Sequence, residues 1–162
     1  MSFLKSRILY YRLAQLTPIA VYILMMLGSY VKAIGARIAC PDWPLCYGKA
    51  LPWEFDATGT GFNIDQIMAE YIHRLFALVV VVFILGILVL SYYHRTDRNS
   101  DNEPIGMKRF QLMILVTVLL AIQVIFGALT VLLPENLVVS LHLAVATLIF
   151  GGTIFHVSWI KI

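Results

Sequence analysis

The chain has 162 residues, 60% of them hydrophobic and 13% charged, with a formal net charge of +3. Soluble domains carry about 25% charged residues, so this composition, with a mean hydropathy of +0.86, excludes an ordinary soluble fold. No basic stripe points to nucleic acid, and the length suits a single membrane domain over 1–162.

A helix needs roughly 20 mostly apolar residues to cross a hydrocarbon core of about 30 Å. Residues 13–31 are uncharged and give the first span, with Pro18 after Thr17 predicting a kink. This span has a basic start and ends near Ala33-Ile34-Gly35-Ala36, as a secretory signal does. Its apolar stretch is long for a signal, so a retained helix is expected. A long loop, about 32–66, follows. The second span is 67–93, a linker covers about 94–109, and the third and fourth spans are 110–133 and 137–160. Between the last two lies only a short turn at Pro134-Glu135-Asn136. Lipid offers backbone groups no outside partner, so the expected fold is all-α, a four-helix transmembrane bundle.

Orientation follows from lysine and arginine. Lys5, Arg7 and Arg12 precede the first span, and Arg95, Arg98, Lys108 and Arg109 fill the linker, with Lys161 on the same side. Lys32, Arg37 and Lys49 are the long loop's cations, mixed with Asp42, Glu54, Asp56 and Asp65. The chain is therefore expected in a cell membrane, multi-pass, with both termini cytoplasmic and the long loop external.

Ionisable groups inside a span are costly and face a bundle interior. Glu70, His73 and Arg74 share one face of the second helix through their i, i+3, i+4 spacing. His142 sits in the second turn of the fourth span. Both spans run inward from the outer surface, so a rise of about 1.5 Å per residue puts His73 and His142 at similar depth. Two facing imidazoles can supply both axial positions of a haem iron. The plain alternative is hydrogen bonding between helices. Arg74 has the planar fork to pair with a haem propionate, or it forms only an ion pair with Glu70. Glu70 is a candidate carboxylate near a reacting carbon. His94, beside Arg95, is expected to be solvated. His156, about 21 Å beyond His142, has only His94 as a partner for an inner haem.

Cys40 and Cys46 are the only cysteines. On the external side they form either a disulfide staple or a redox-active pair, and no nearby histidine supports zinc. Trp43, Tyr47 and Trp53 suit the headgroup level. Gly28 and Gly127 permit close helix approach, while Gln123 and Thr130 can hydrogen-bond across the bundle. Gly28-x-x-Val31 and Gly127-x-x-Thr130 each precede a histidine in the next helix, which suggests a duplicated hairpin.

The run Gly28-Ser-Tyr-Val-Lys-Ala-Ile-Gly35 and the loop Cys40-Pro-Asp-Trp-Pro-Leu-Cys46-Tyr-Gly48 resemble the first hairpin of haem A synthases. Glu70-Tyr-Ile-His73-Arg74 resembles that family's Glu-x-x-His-Arg element. Gln123-x-x-x-Gly127-Ala-Leu-Thr130-Val and His142-Leu-x-x-Ala146 resemble its third and fourth helices. The resemblance implies an oxidoreductase that converts haem O to haem A, oxidising a ring methyl through hydroxylation and loss of water. It makes His73 and His142 haem-iron ligands, Glu70 the catalytic carboxylate, and Cys40 and Cys46 the outer-loop disulfide. It implies haem b as a relay cofactor and a role in cytochrome oxidase assembly. A haem O synthase and a quinone or other electron acceptor are the implied partners.

Members of that family have eight spans in two fused halves, and this chain has the substrate-side half. A homodimer or higher homo-oligomer would rebuild the arrangement. Competing readings are a haem b electron carrier without methyl oxidation, a quinone-linked thiol oxidoreductase, and a structural subunit of a respiratory complex. The first of these needs the histidines but not Glu70. The second needs the cysteines, and its usual Cys-x-x-Cys spacing is absent.

Overall fold

The computed structural model describes residues 3–49, 57–97, 105–133 and 135–160. Trp53, Glu54, Asp56, Arg98, Pro134 and Lys161 lie outside them. Four helices follow in order: α1 (Phe3–Ala33), α2 (Ile64–Tyr93), α3 (Ile105–Leu132) and α4 (Asn136–Ser158). All four are long and apolar enough to cross a membrane. The all-α transmembrane bundle expected from the sequence is the observed fold.

The first three helices begin before the expected spans, most at α1, which begins ten residues before 13, and α3, which begins five before 110, while α4 ends two residues before 160. The reason is simple. An uncharged run reports the width of the hydrocarbon, while a helix continues until its backbone finds a cap. α1 passes through Pro18 and ends in a Schellman motif. Gly35 takes a φ of +69°, its N–H bonds Lys32 O, and the Ala36 N–H reaches back to Val31 O. α2 opens with a capping box between Asn63 and Gln66. The Gln66 side-chain amide also donates to Ile34 O at 2.8 Å, tying the two helix ends together.

Each helix packs on its two neighbours in a ring, α1 on α2 and α4, and α3 on α2 and α4. The diagonal pairs, α1 with α3 and α2 with α4, stay apart. The main core fills the end of the bundle that holds the N-terminus and the α2–α3 linker. It contains Tyr10, Ala14, Val80, Ile84, Ile87, Met113, Val116 and Ile149. A second cluster lies at the opposite end, where the long loop folds back on α1 and α2. It holds Val31, Ala36, Ala39, Cys40, Cys46, Ile67 and Tyr71.

Between these clusters is a band where burial is incomplete on every helix. None of residues 22–30, 72–79, 121–132 or 136–148 is buried. The side chains of these segments are partly covered by their neighbours, and His73 Nδ1, Gln123 Oε1 and His142 Nδ1 are enclosed among them.

The terminal end corrects one expectation. His94 is not solvated. It is 3% exposed, with Nε2 3.2 Å from Ser6 Oγ and Nδ1 3.4 Å from Asp97. The start of α3 packs over it, with the Gly106 N–H bonded to Asp97 O. A β-carbon at Gly106 would collide with the His94 and Arg95 carbonyls. His156 is also buried, 3.0 Å from the Tyr10 hydroxyl, which accepts from Ser91 Oγ. The Tyr10 ring stands 5.5 Å from His94 and 5.7 Å from His156, centroid to centroid. It sits against both histidines.

Candidate functional site

α2 carries the site because its first turns serve two environments. Glu70 faces the folded loop and His73 faces the incompletely buried band. The Glu70 carboxylate is 4% exposed and fully engaged. Oε2 accepts from the Cys40 N–H at 2.8 Å, and Oε1 pairs with Arg74 one turn on.

The Arg74 guanidinium donates to the carbonyls of Asp42, Leu45 and Cys40 as well as to Glu70. Its terminal nitrogens are thus spent on the loop. The fork forms a clasp, because the loop returns over α2 and brings three backbone oxygens to it. Asp42 completes the clasp from the other side. Its carboxylate accepts from the N–H groups of Tyr47 at 2.6 Å and Gly48 at 2.8 Å. Partial burial would raise its pKa, but those backbone donors, with Arg74 nearby, hold it below the ordinary value. Cys40 and Cys46 form a disulfide within the same loop. Trp43 precedes a cis Pro44 and stays exposed.

His73 packs its ring against Gly28 of α1. A β-carbon there would stand 2.9 Å from Cε1. The ring also faces the Leu24 carbonyl, and Nδ1 has no partner among the described residues. His142 repeats this arrangement on the other hairpin. A β-carbon at Gly127 of α3 would stand 3.5 Å from its Cε1. Its ring faces the Gln123 carbonyl, and Nδ1 again has no partner among the described residues. In both hairpins the glycine lies one turn beyond the residue whose carbonyl faces the imidazole.

The short sequence echo at Gly28 and Gly127 therefore has a spatial meaning. Gly28 leaves a niche that the His73 ring fills, and Gly127 lies against the His142 ring at ordinary contact distance. The sequence reading gave these glycines a role in helix approach and missed Leu24. Its signal was available one turn before Gly28, where Gln123 stands before Gly127.

His73 and His142 belong to the diagonal helices α2 and α4, and the two rings lie within electrostatic reach of each other. In each ring Nδ1 is the nitrogen without a partner among the described residues, and Nε2 of His142 meets Gln123. Two imidazoles on the two hairpins are a donor set that would suit the iron of a haem. Among the described residues, no cluster of three or more His, Cys, Asp or Glu could hold a bare metal ion.

Fold and site together define a four-helix membrane protein with an inward-facing histidine pair beneath a disulfide-closed loop. Residues 11–161 match the family model described as cytochrome oxidase assembly protein, COX15-CtaA, and the chain belongs to that family. A relative named heme A synthase from Staphylococcus aureus is 26% identical over 147 residues, 90% of this chain and 43% of the relative. A relative of the same name from Symbiobacterium thermophilum is 38% identical over 64 residues, 40% of this chain and 18% of the relative. The chain spans less than half the length of these relatives. No solved structure matches it.

Proposed function

We propose that the chain acts in haem A synthesis, as an oxidoreductase that converts a ring methyl of haem O to the formyl group of haem A. The observation that supports this reading is the pair of enclosed imidazoles, His73 and His142, each with Nδ1 buried and without a partner among the described residues, and close enough to interact electrostatically. Family membership and the relatives' names support it.

Haem O is the substrate and haem A the product. Water supplies the formyl oxygen. Electrons pass to an acceptor of the quinone class, and the protons leave to solvent. A resident haem b, where one is held, supplies one-electron relay.

His73 and His142 offer one nitrogen from each side. Gly28 leaves the room the His73 ring needs. Glu70 is a fixed negative charge one turn from His73, and in a low-dielectric site such a charge stabilises positive charge developing at a ring substituent. Arg74 and the Cys40–Cys46 loop hold that carboxylate in place and cap the site against water. The basic residues flanking α1 and the α2–α3 linker support cytoplasmic termini and an external loop. Two copies of the chain supply the helix complement of the longer relatives, so a homodimer is the proposed working form.

Glu70→Gln tests the chemistry. Glutamine still accepts from the Cys40 N–H but carries no charge. Haem A formation should fall about 100-fold or more, while the spectrum of bound haem is unchanged. Undiminished haem A formation would remove Glu70 from the mechanism. Haem binding with no haem A even in the wild type would favour the haem b electron carrier.

A further inference from the structure

The surroundings of the two histidines match in backbone but differ in one side chain. Leu24 stands where the second hairpin has Gln123. Gln123 Nε2 lies 3.3 Å from Nε2 of His142, and its Oε1 is buried without a partner among the described residues. Leu24 can offer His73 only its backbone carbonyl. Whichever way the Gln123 amide is turned, its polar end holds Nε2 of His142, as donor to the lone pair or as acceptor of the proton.

We propose that Gln123 is a positioning residue that makes His142 the exchangeable member of the ligand pair and leaves His73 the permanent one. The proposal rests on the haem reading of the site given above. Were Nε2 of His142, rather than the partnerless Nδ1, to take the iron, the amide would have to be displaced first. When that bond opens, the amide recloses on the nitrogen and competes with rebinding. In a low-dielectric interior an unpaired ring nitrogen is costly, so the amide gives the open state of His142 a partner that the open state of His73 lacks. A macrocycle that enters as substrate and leaves as product needs one ligand bond that opens readily. A permanently held cofactor does not.

The test compares the wild type with Gln123→Leu, which copies the Leu24 side, and Leu24→Gln, which copies the Gln123 side. Each protein is placed in nanodiscs and loaded with haem b. Loss of haem to excess apomyoglobin is then followed by absorption. Q123L should release haem about three- to tenfold more slowly, the scale of one net hydrogen bond. L24Q should release it faster by a similar factor. Both should keep a six-coordinate, low-spin spectrum. Equal rates in the three proteins overturn the proposal. Faster release from Q123L also overturns it, because the amide would then be supporting the bound ring as an outer partner does. If Q123L does not fold, L24Q decides. A wild type that takes up no haem overturns the haem reading itself, and that outcome is distinct from a normal spectrum with unchanged rates.

Discussion

A β-carbon at Gly28 would stand 2.9 Å from Cε1 of His73, whereas one at Gly127 would stand 3.5 Å from Cε1 of His142. The first distance is an overlap and the second an ordinary contact. Gly28→Ala should therefore push the His73 ring from its niche, at a cost of about 1–3 kcal/mol. Haem affinity should fall roughly 10- to 100-fold. Gly127→Ala should change it by less than about threefold. Haem titration of both variants checks this, and equal effects would place the crowding elsewhere.

Arg74 clasps the loop through three carbonyls and pairs with the buried Glu70. Removing one partner of a mostly buried ion pair costs about 3–5 kcal/mol. Arg74→Ala should loosen residues 40–49 toward protease and hydrogen exchange while α3 and α4 stay protected. Arg74→Lys should recover only part of the protection, because an ammonium keeps the charge but not the planar fork.

How much of this was legible in the sequence differs from residue to residue. The four spans were, because lipid demands long apolar runs and punishes stray charges. A shared depth for His73 and His142 is expected from helix rise alone. The partners of Arg74 were not. They are carbonyls about thirty residues away, and backbone oxygens leave no mark in a residue pattern. His94 was misread for a related reason. Its neighbour Arg95 suggests water, but the start of α3 packs over it through Gly106, and a local charge does not report a distant chain reversal. Gln123 was noticed as a hydrogen-bonding residue, yet its partner became visible only when α3 and α4 were placed side by side.

The disulfide lies in the loop cluster and not at the histidine pair. The double variant Cys40→Ala, Cys46→Ala should keep the spectrum of bound haem and still form haem A, at a lower yield as the loop loosens. Complete loss of product with the haem spectrum intact would assign the cysteines a redox step and favour the thiol oxidoreductase reading.

The lowered pKa of Asp42 has a defined sign. A carboxyl group whose folded pKa is depressed stabilises the fold above its ordinary pKa, and that contribution disappears as pH falls through the depressed value. Hydrogen exchange at Tyr47 and Gly48 should stay slow at neutral pH and quicken only in strong acid. In Asp42→Asn the same amides should exchange quickly at both.

At the terminal end, the Tyr10 hydroxyl joins His156 and Ser91. Tyr10→Phe leaves both without that partner and should cost about 1–3 kcal/mol. It should lower the unfolding temperature and leave the haem spectrum unchanged, because the site lies beyond the intervening core.

The most direct measurement is the identity of the haem extracted from the purified chain after its production in cells that also make haem O. Haem A, or its hydroxymethyl precursor, should be recovered from a protein with a bis-imidazole spectrum that is lost in His73→Ala and in His142→Ala. Recovery of haem O or haem b alone would contradict methyl oxidation at this site, and a protein purified without haem would contradict the site itself.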